Sequence, residues 1–362
     1  MTSNRETLDH LFATGRIDIR RGPLFDTPPE SPACPLNWSR INGMMLGLAI
    51  GDALGRTSEG LRPAERKAHC GQVRHYLPNR YADGRRVGTP SDDTQLAFWT
   101  LEQMIADGGF EPDHVAARFA RGQIFGIGST VRSFVDNYRS RVRPWYNCGP
   151  KSAGNGALMR IAPMIIPHAR TATADLWVDT ALSAMMTHND SASVSACVAF
   201  VALLWQLLQA TTPPEPAWWP EAYIEVARQL ETDDTYEPRA RDYAGFRGTL
   251  WEFVDRHVGR AYRGGLSVEE ACNSWYSAAF LLETVPSALL ILMRHGDDPE
   301  EAIVRAVNDT VDNDTIAAIV GAAHLPRRWV DDLSGQVDGG DDGRILDLLD
   351  QAAELWGPEA EL

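Results

Sequence analysis

The chain has 362 residues, enough for one large core or two ordinary ones. With 34 basic against 49 acidic residues it carries a formal net charge of -15, which argues against broad binding to nucleic acid or to an anionic membrane surface. Its five cysteines are scattered without a CxxC pair, so neither a zinc site nor a disulfide framework is indicated.

The opening "MTSNRETLDH" is charged and lacks an apolar secretory segment, so a soluble, cytoplasmic setting is expected. Residues 1–37 stand apart by composition. The stretch "RRGPLFDTPPESPACPLN" (20–37) holds five prolines in eighteen residues, which forbids regular helix and predicts an extended N-terminal arm. From Trp38 to residue 362 apolar positions recur mostly at helical spacing and strand-like alternation is scarce, so the body reads as all-α.

In chain order, "INGMMLGLAIGDAL" (41–54) comes first. Gly47, Gly51 and Gly55 stand four apart, on one helix face, as a close-packing stripe, with Asp52 and Glu59 as the nearby acids. "SDDT" (91–94) then runs into the helix "TQLAFWTLEQMIA" (94–106). "KSAGNGALMRIAP" (151–163) places a Gly-Asn-Gly turn before a short helix, and such turns expose backbone N–H groups to anions. His188 precedes the helix at 191–210, whose apolar run "ACVAFVALLWQLL" (196–208) is too short to span a bilayer. Residues 211–266 are more polar and form either a surface excursion or a small helical subdomain. Residues 267–296 and 299–308 read as helical, and "DNDT" (312–315) runs into "IAAIVGAAHL". At the end, "DLSGQVDGGDDGRILDLLDQAAEL" (332–355) offers a Gly/Asp turn followed by an amphipathic helix.

"SDDT" and "DNDT" form a pair. Each sets two carboxylates and a hydroxyl at the start of an apolar helix, and Asp309 adds a third acid close to the second cluster. Asp, Ser and Thr all cap helices, so capping is one reading. The other brings the two starts together around hard divalent cations, because oxygen ligands without His or Cys suit Mg²⁺, Mn²⁺ or Ca²⁺. An EF-hand does not fit. Counting from Asp312, Ala317 and Ala323 stand where Gly and Glu are required.

Taken in order, "GLAIGDALGRTSE", "SDDTQLA", "GNGALMR", "TH" and "DNDTIAAIVGA" resemble the ADP-ribosylglycohydrolase family, which includes dinitrogenase-reductase-activating glycohydrolases and ADP-ribosylarginine hydrolases. The resemblance spans roughly residues 41–325. It implies an all-α fold with a dinuclear metal cleft holding two Mg²⁺ (or Mn²⁺) ions, where ADP-ribose binds. Carried over by motif, Ser91, Asp92, Asp93, Asp312, Asp314 and Thr315 are the implied metal ligands, with Asp314 bridging. Glu59 is the implied acid beside the metals, and Glu59, Asp92 or Asp93 the catalytic base. Asn155 and Gly156 match the phosphate-contacting turn, and His188 a histidine near the distal ribose. The implied substrate is a protein ADP-ribosylated on arginine, with serine or O-acetyl-ADP-ribose linkages as alternatives.

The chain departs from the family pattern in three places. Ser91 replaces a Thr, keeping the hydroxyl. Asn313 replaces a Thr and is expected to point away from the site. Thr310 and Val311 replace a Gly-Gly pair, which is expected to narrow the approach of the backbone to a ligand. The extension resembles that of a narrower group, immunity proteins acting against interbacterial ADP-ribosyltransferase toxins, in which such an arm plugs the toxin's active site. Residues 1–37 are therefore a candidate partner-binding arm, and a protein that chiefly binds and blocks the toxin stoichiometrically is the alternative to a hydrolase.

Overall fold

A computed structural model describes residues 2–33, 35–140, 142–324, 329–333 and 344–358. Their helices in order are α1 (Asn4–Ala13), α2 (Trp38–Arg56), α3 (Pro63–Cys70), α4 (Asp92–Asp107), α5 (Pro112–Arg121), α6 (Ser129–Arg139), α7 (Asp175–Thr187) and α8 (Ser191–Gln209). These are followed by α9 (Trp218–Leu230), α10 (Leu250–Arg263), α11 (Val268–Trp275), α12 (Leu281–His295), α13 (Pro299–Asp309), α14 (Asn313–Ala322) and α15 (Arg344–Trp356). Among the described residues β-pairing is confined to isolated bridges, such as Gly154 with Phe280. The fold is all-α.

The centre of the molecule is the pair α2–α14, and glycine makes it possible. A Cβ built on Gly47 would lie 2.0 Å from the Gly321 carbonyl oxygen, and one on Gly51 2.0 Å from that of Ala317. On Gly55 it would lie 2.4 Å from the Asp314 Cα. The small-residue stripe thus lets two backbones touch, and it delivers Asp52 of α2 beside Asp314 of α14.

α8 is buried almost throughout, which explains its uniform hydrophobicity. The expectation that this segment is too short to span a membrane needs correction. Asp190 caps the helix by accepting from the Ala192 N–H (3.0 Å), so it starts at Ser191 and reaches 19 residues. That is long and apolar enough to cross a membrane by length and composition, but 89% of the apolar window lies inside the protein.

The N-terminal extension also differs from the reading as a free arm. Ser3 and Glu6 form a reciprocal capping box that starts α1. Leu8 and Leu11 are then buried against the body, and Asn4 Nδ2 donates to Asp179 Oδ1 (2.8 Å) on α7. Phe25 is 1% exposed and meets Phe12 edge-on at 5.5 Å. Beyond it the chain is extended as the prolines require, and it is pinned by Trp177 and Trp205, whose indole N–H groups donate to the carbonyls of Thr27 and Glu30. The prolines block helix but not burial.

Residues 211–266 form a helical subdomain, with Trp219 and Tyr223 of α9 and Phe253 of α10 in the common core. The continuous helix expected over 267–296 is broken. Tyr276 (φ 82) and Ser277 (φ 35) take left-handed backbone between α11 and α12. Of the tail, the amphipathic helix is α15, while the Gly/Asp turn at 334–343 lies outside the described residues.

Candidate functional site

α4, α6 and α14 begin at one cavity of about 440 Å³, lined by Glu59, Asp92, Asp93, Asp312, Asp314 and Thr315 on one side. The Gly154–Gly156 turn, His188, Arg239 and Phe280 line the other.

Capping does not account for the acids. Neither Ser91, at the start of α4, nor Asp312, at the start of α14, makes a side-chain cap hydrogen bond. The start of α4 is capped from another helix. Asp52, fully buried on α2, accepts from the Ser91 N–H (2.7 Å) and the Thr94 N–H (3.1 Å). It also accepts from the hydroxyls of Ser91 (2.7 Å) and Thr94 (2.6 Å). These bonds release Asp92 and Asp93 from capping and turn them toward the cavity.

Asp52, Asp93 and Asp314 each offer a carboxylate oxygen within 4.8 Å of the others, and all three are buried. Asp93 Oδ1 has no hydrogen-bond partner, although burying a carboxylate oxygen unpaired is costly. Oxygen donors with one atom left orphaned fit a hard divalent cation. Because Asp52 is saturated by its four donors, we read it as the anchor and Asp92, Asp93, Asp312 and Asp314 as the groups facing a cation.

Electrostatics points the same way. Burial first, then the charges of Asp52, Asp314 and Asp92, hold the Asp93 carboxyl well above its ordinary range. Asp314 is raised likewise by burial and by Asp312 and Glu59. Burial with Asp52 raises Asp92 to about 7. Burial raises Asp312 to about 6, against the hydrogen bond from Asn155. Glu59 stands at the mouth, open to solvent on one side. Desolvation on its protein side and the charge of Asp52 raise it, while a hydrogen bond with Asp314 opposes the rise. Each of these shifts is one that a bound cation reverses.

The structure brings every candidate residue to this region, with changes of detail. The Ser91 hydroxyl lies behind the cavity wall, bonded to Asp52 and to Asp93 (3.3 Å). The Asn155 N–H is taken by the Ala279 carbonyl (3.1 Å) and the Gly154 N–H by Ser152 Oγ (3.3 Å). Two of the three donors expected of that turn are therefore already engaged. The Asn155 side chain donates to Asp312 Oδ2 (2.6 Å) and to Thr284 Oγ1 (3.0 Å), fixing Asp312 in place. Asn313 points away, donating to the Gly55 carbonyl (3.0 Å) and Ser58 Oγ (3.1 Å). Thr310 turns its hydroxyl back to the Ala306 carbonyl (2.6 Å). Asp309 belongs elsewhere: it pairs with Arg305 at 3.2 Å.

Three residues of the site lacked a legible signal. In sequence Asp52 is only an acid within the glycine stripe, with nothing nearby that marks it as an anchor. Arg66 is fully buried and donates to the carbonyls of Leu61 (2.7 Å) and Thr310 (2.8 Å), and so fastens the Glu59 loop to the start of α14. Arg239 reaches in from the 211–266 subdomain. It pairs bidentately with the fully buried Glu283 and lies near the rings of Tyr276 and Phe280. Among the described residues Arg239 is the sole Lys or Arg lining the cavity, and pairing with Glu283 leaves one guanidinium nitrogen for a ligand.

Comparison with known proteins gives concordant results. The family model described as ADP-ribosylglycohydrolase matches residues 35–361. An uncharacterized protein of Archaeoglobus fulgidus is 31% identical over 306 residues, covering 81% of this chain and 91% of that protein. The ADP-ribosylarginine hydrolase Tri1 of Serratia proteamaculans is 25% identical, covering 94% and 86%. The ADP-ribosylhydrolase ARH3 of Danio rerio is 25% identical, covering 86% and 90%. A solved structure titled ADP-ribosylglycohydrolase-related protein complex superposes with a TM-score of 0.61 at 25% identity, covering 88% of this chain and 97% of that one.

Proposed function

The chain belongs to the ADP-ribosylglycohydrolase family and is a hydrolase of ADP-ribosyl linkages, and on that premise we propose that it removes ADP-ribose from modified arginine side chains of proteins. The observation that carries this reading is the acidic wall. Of the five carboxylates lining the cavity four would be taken up by cations, and the fifth, Glu59, stands at the mouth where the modified side chain would enter and suits the cationic guanidinium of a modified arginine. The relative named as an arginine hydrolase supports the same choice. The relative named ARH3 keeps a second linkage, such as serine or O-acetyl-ADP-ribose, as the reading to test against it.

In this proposal Asp92, Asp93, Asp312 and Asp314, with the Thr315 hydroxyl, would hold two Mg²⁺ or Mn²⁺ ions, and Ser91 would support Asp93 from behind the wall. When bound, these cations neutralise the acids and supply Lewis-acid stabilisation of the ribose oxygens. The protein's own groups do the rest. The Gly156 N–H seats the pyrophosphate with the free edge of Arg239, Asn155 holds Asp312 behind it, and His188 addresses a ribose oxygen. Water attacks C1″ as the C1″–N bond to the guanidine breaks through an oxocarbenium-like state, which nearby carboxylates stabilise. Glu59 accepts the proton lost by water and delivers it to the departing guanidine nitrogen, which leaves as guanidinium and returns Glu59 to its carboxylate.

The immunity role is part of the proposal. The alignment with the Serratia relative covers 94% of this chain, more than the body after residue 37 alone would supply, which supports a shared layout that reaches into the extension. Since Phe25 is buried, contact with a toxin would fall to exposed residues such as Thr27, Pro28 and Glu30. Loss of a pulled-down complex in Glu30→Arg, with hydrolysis intact, would separate blocking from catalysis.

The deciding test is release of ADP-ribose from an arginine-modified protein, with Mg²⁺ or with EDTA, beside Asp92→Asn/Asp314→Asn. Metal-dependent release lost in the double variant is expected. Release from a serine-modified protein but not from the arginine-modified one would transfer the assignment to the second linkage.

A further inference from the structure

Arg160 is a fully buried guanidinium without an acidic partner in hydrogen-bond contact among the described residues. Retaining an unneutralised charge there is expensive, which raises the question of what the residue does. It lies over the Phe119 ring at 5.2 Å and donates to Ser183 Oγ (3.2 Å), to the Ser183 carbonyl (2.9 Å) and to Thr187 Oγ1 (2.8 Å). Thr187 Oγ1 is in turn 2.9 Å from His188 Nδ1. Both Thr187 and His188 are buried.

The direction of each bond in this chain follows from donor chemistry. A guanidinium has donors only, so the Thr187 oxygen accepts from Arg160. The hydroxyl hydrogen of Thr187 then needs an acceptor, and the one within reach is Nδ1 of His188. A nitrogen that accepts carries no proton, so the ring proton sits on Nε2. That nitrogen faces the cavity beside the glycine turn. A Cβ on Gly156 would come within 3.1 Å of it, and one on Gly154 within 3.5 Å. Burial and the Arg160 charge push the imidazole pKa down to about 3, in keeping with a ring that stays neutral.

We infer that Arg160 and Thr187 are positioning residues that fix His188 as an Nε2–H donor directed at an acceptor oxygen of the bound ligand. His188 is then a hydrogen-bond donor of constant charge and not an acid or base of the reaction. The ligand part rests on the reading of the cavity as an ADP-ribose site. The tautomer part does not.

The test uses the full chain labelled with ¹⁵N-histidine, with the His188 signals identified by their loss in His188→Gln. Long-range ¹H–¹⁵N spectra should show a neutral ring protonated on Nε2 and unchanged from about pH 5 to about pH 8. Thr187→Val, which keeps the shape, should give a mixture of tautomers and weaken ADP-ribose binding about tenfold in calorimetry. Thr187→Ser should restore both. A wild-type ring protonated on Nδ1 would overturn the inference, as would a Thr187→Val protein with unaltered tautomer and affinity. An intact Nε2–H signature in a wild-type protein that does not bind ADP-ribose would overturn the reading of the cavity while leaving the relay standing.

Discussion

The starts of α4 and α14 look like copies in sequence, yet they are held by opposite means. "SDDT" is gripped by a charged group, the Asp52 carboxylate of α2, which takes two backbone and two hydroxyl donors. "DNDT" is gripped by neutral amides: Asn155 holds Asp312, and Asn313 ties the turn to α2. The difference shows how repulsion is distributed. One start adds a further negative charge to gain rigidity, and the other gains rigidity at no cost in charge. The excess is concentrated around Asp52, Asp93 and Asp314, where a cation relieves it best.

The largest expected effect removes the comparison altogether. Gly51→Ala sets a methyl into the Ala317 carbonyl, where neither backbone can give. Both starts should separate, with a stability loss of about 3 kcal/mol or more in denaturant unfolding, or no soluble protein.

Next comes the asymmetry between the two anchors. Asp52→Asn substitutes an amide for an acceptor of four donors and should cost about 2–4 kcal/mol. Asn155→Ala leaves Asp312 able to find water or a cation and should cost about 1 kcal/mol. Equal costs, measured as paired unfolding midpoints at unchanged slope, would refute the asymmetry.

An effect smaller per residue lies in pH. The cluster acids bind protons more tightly folded than unfolded, with Asp312 at about 6 and Asp92 at about 7. Between about pH 4 and about 7 the folded state therefore holds more protons, so this contribution to stability falls as pH rises. In EDTA the melting temperature should drop between pH 5 and 8 relative to the same protein in Mg²⁺, corresponding to about 4 kcal/mol for Asp312 and Asp92 together. The difference between the two curves isolates the cluster. Glu231, raised to about 8 by burial, contributes equally to both. Coincident curves would mean that no cation relieves these acids.

The smallest effect marks the limit of the site. Asp309→Asn breaks the largely buried pair with Arg305, outside the cavity, and should leave ADP-ribose release within about twofold.

What could be read from sequence was local. The acids, the glycine stripe, the Gly-Asn-Gly turn and the apolar helices each carry their signal within about a dozen residues. The role of Asp52 was hidden because its donors are 39 and 42 residues away, and nothing near Asp52 shows what it accepts from. Arg239 and Glu283 are 44 apart, and Arg66 reaches a carbonyl 244 residues on. The break at Tyr276 was obscured because aromatic and small residues keep helical spacing across it. Proline content described the extended path over residues 27–33 but not the short 3-10 turn at Pro23–Asp26, and it said nothing of what Trp177 and Trp205 would do to the segment.

The α2–α14 contact also sets when activity can arise during synthesis. The two helices are separated by more than 250 residues, so at roughly 5–20 residues per second α2 waits on the order of 13–50 s for its partner. Until then Asp52 and Glu59 have no cluster to join. Fragments that end before α14 should therefore be inert whatever else they fold, and catalysis by this chain serves as a report that translation has passed residue 322.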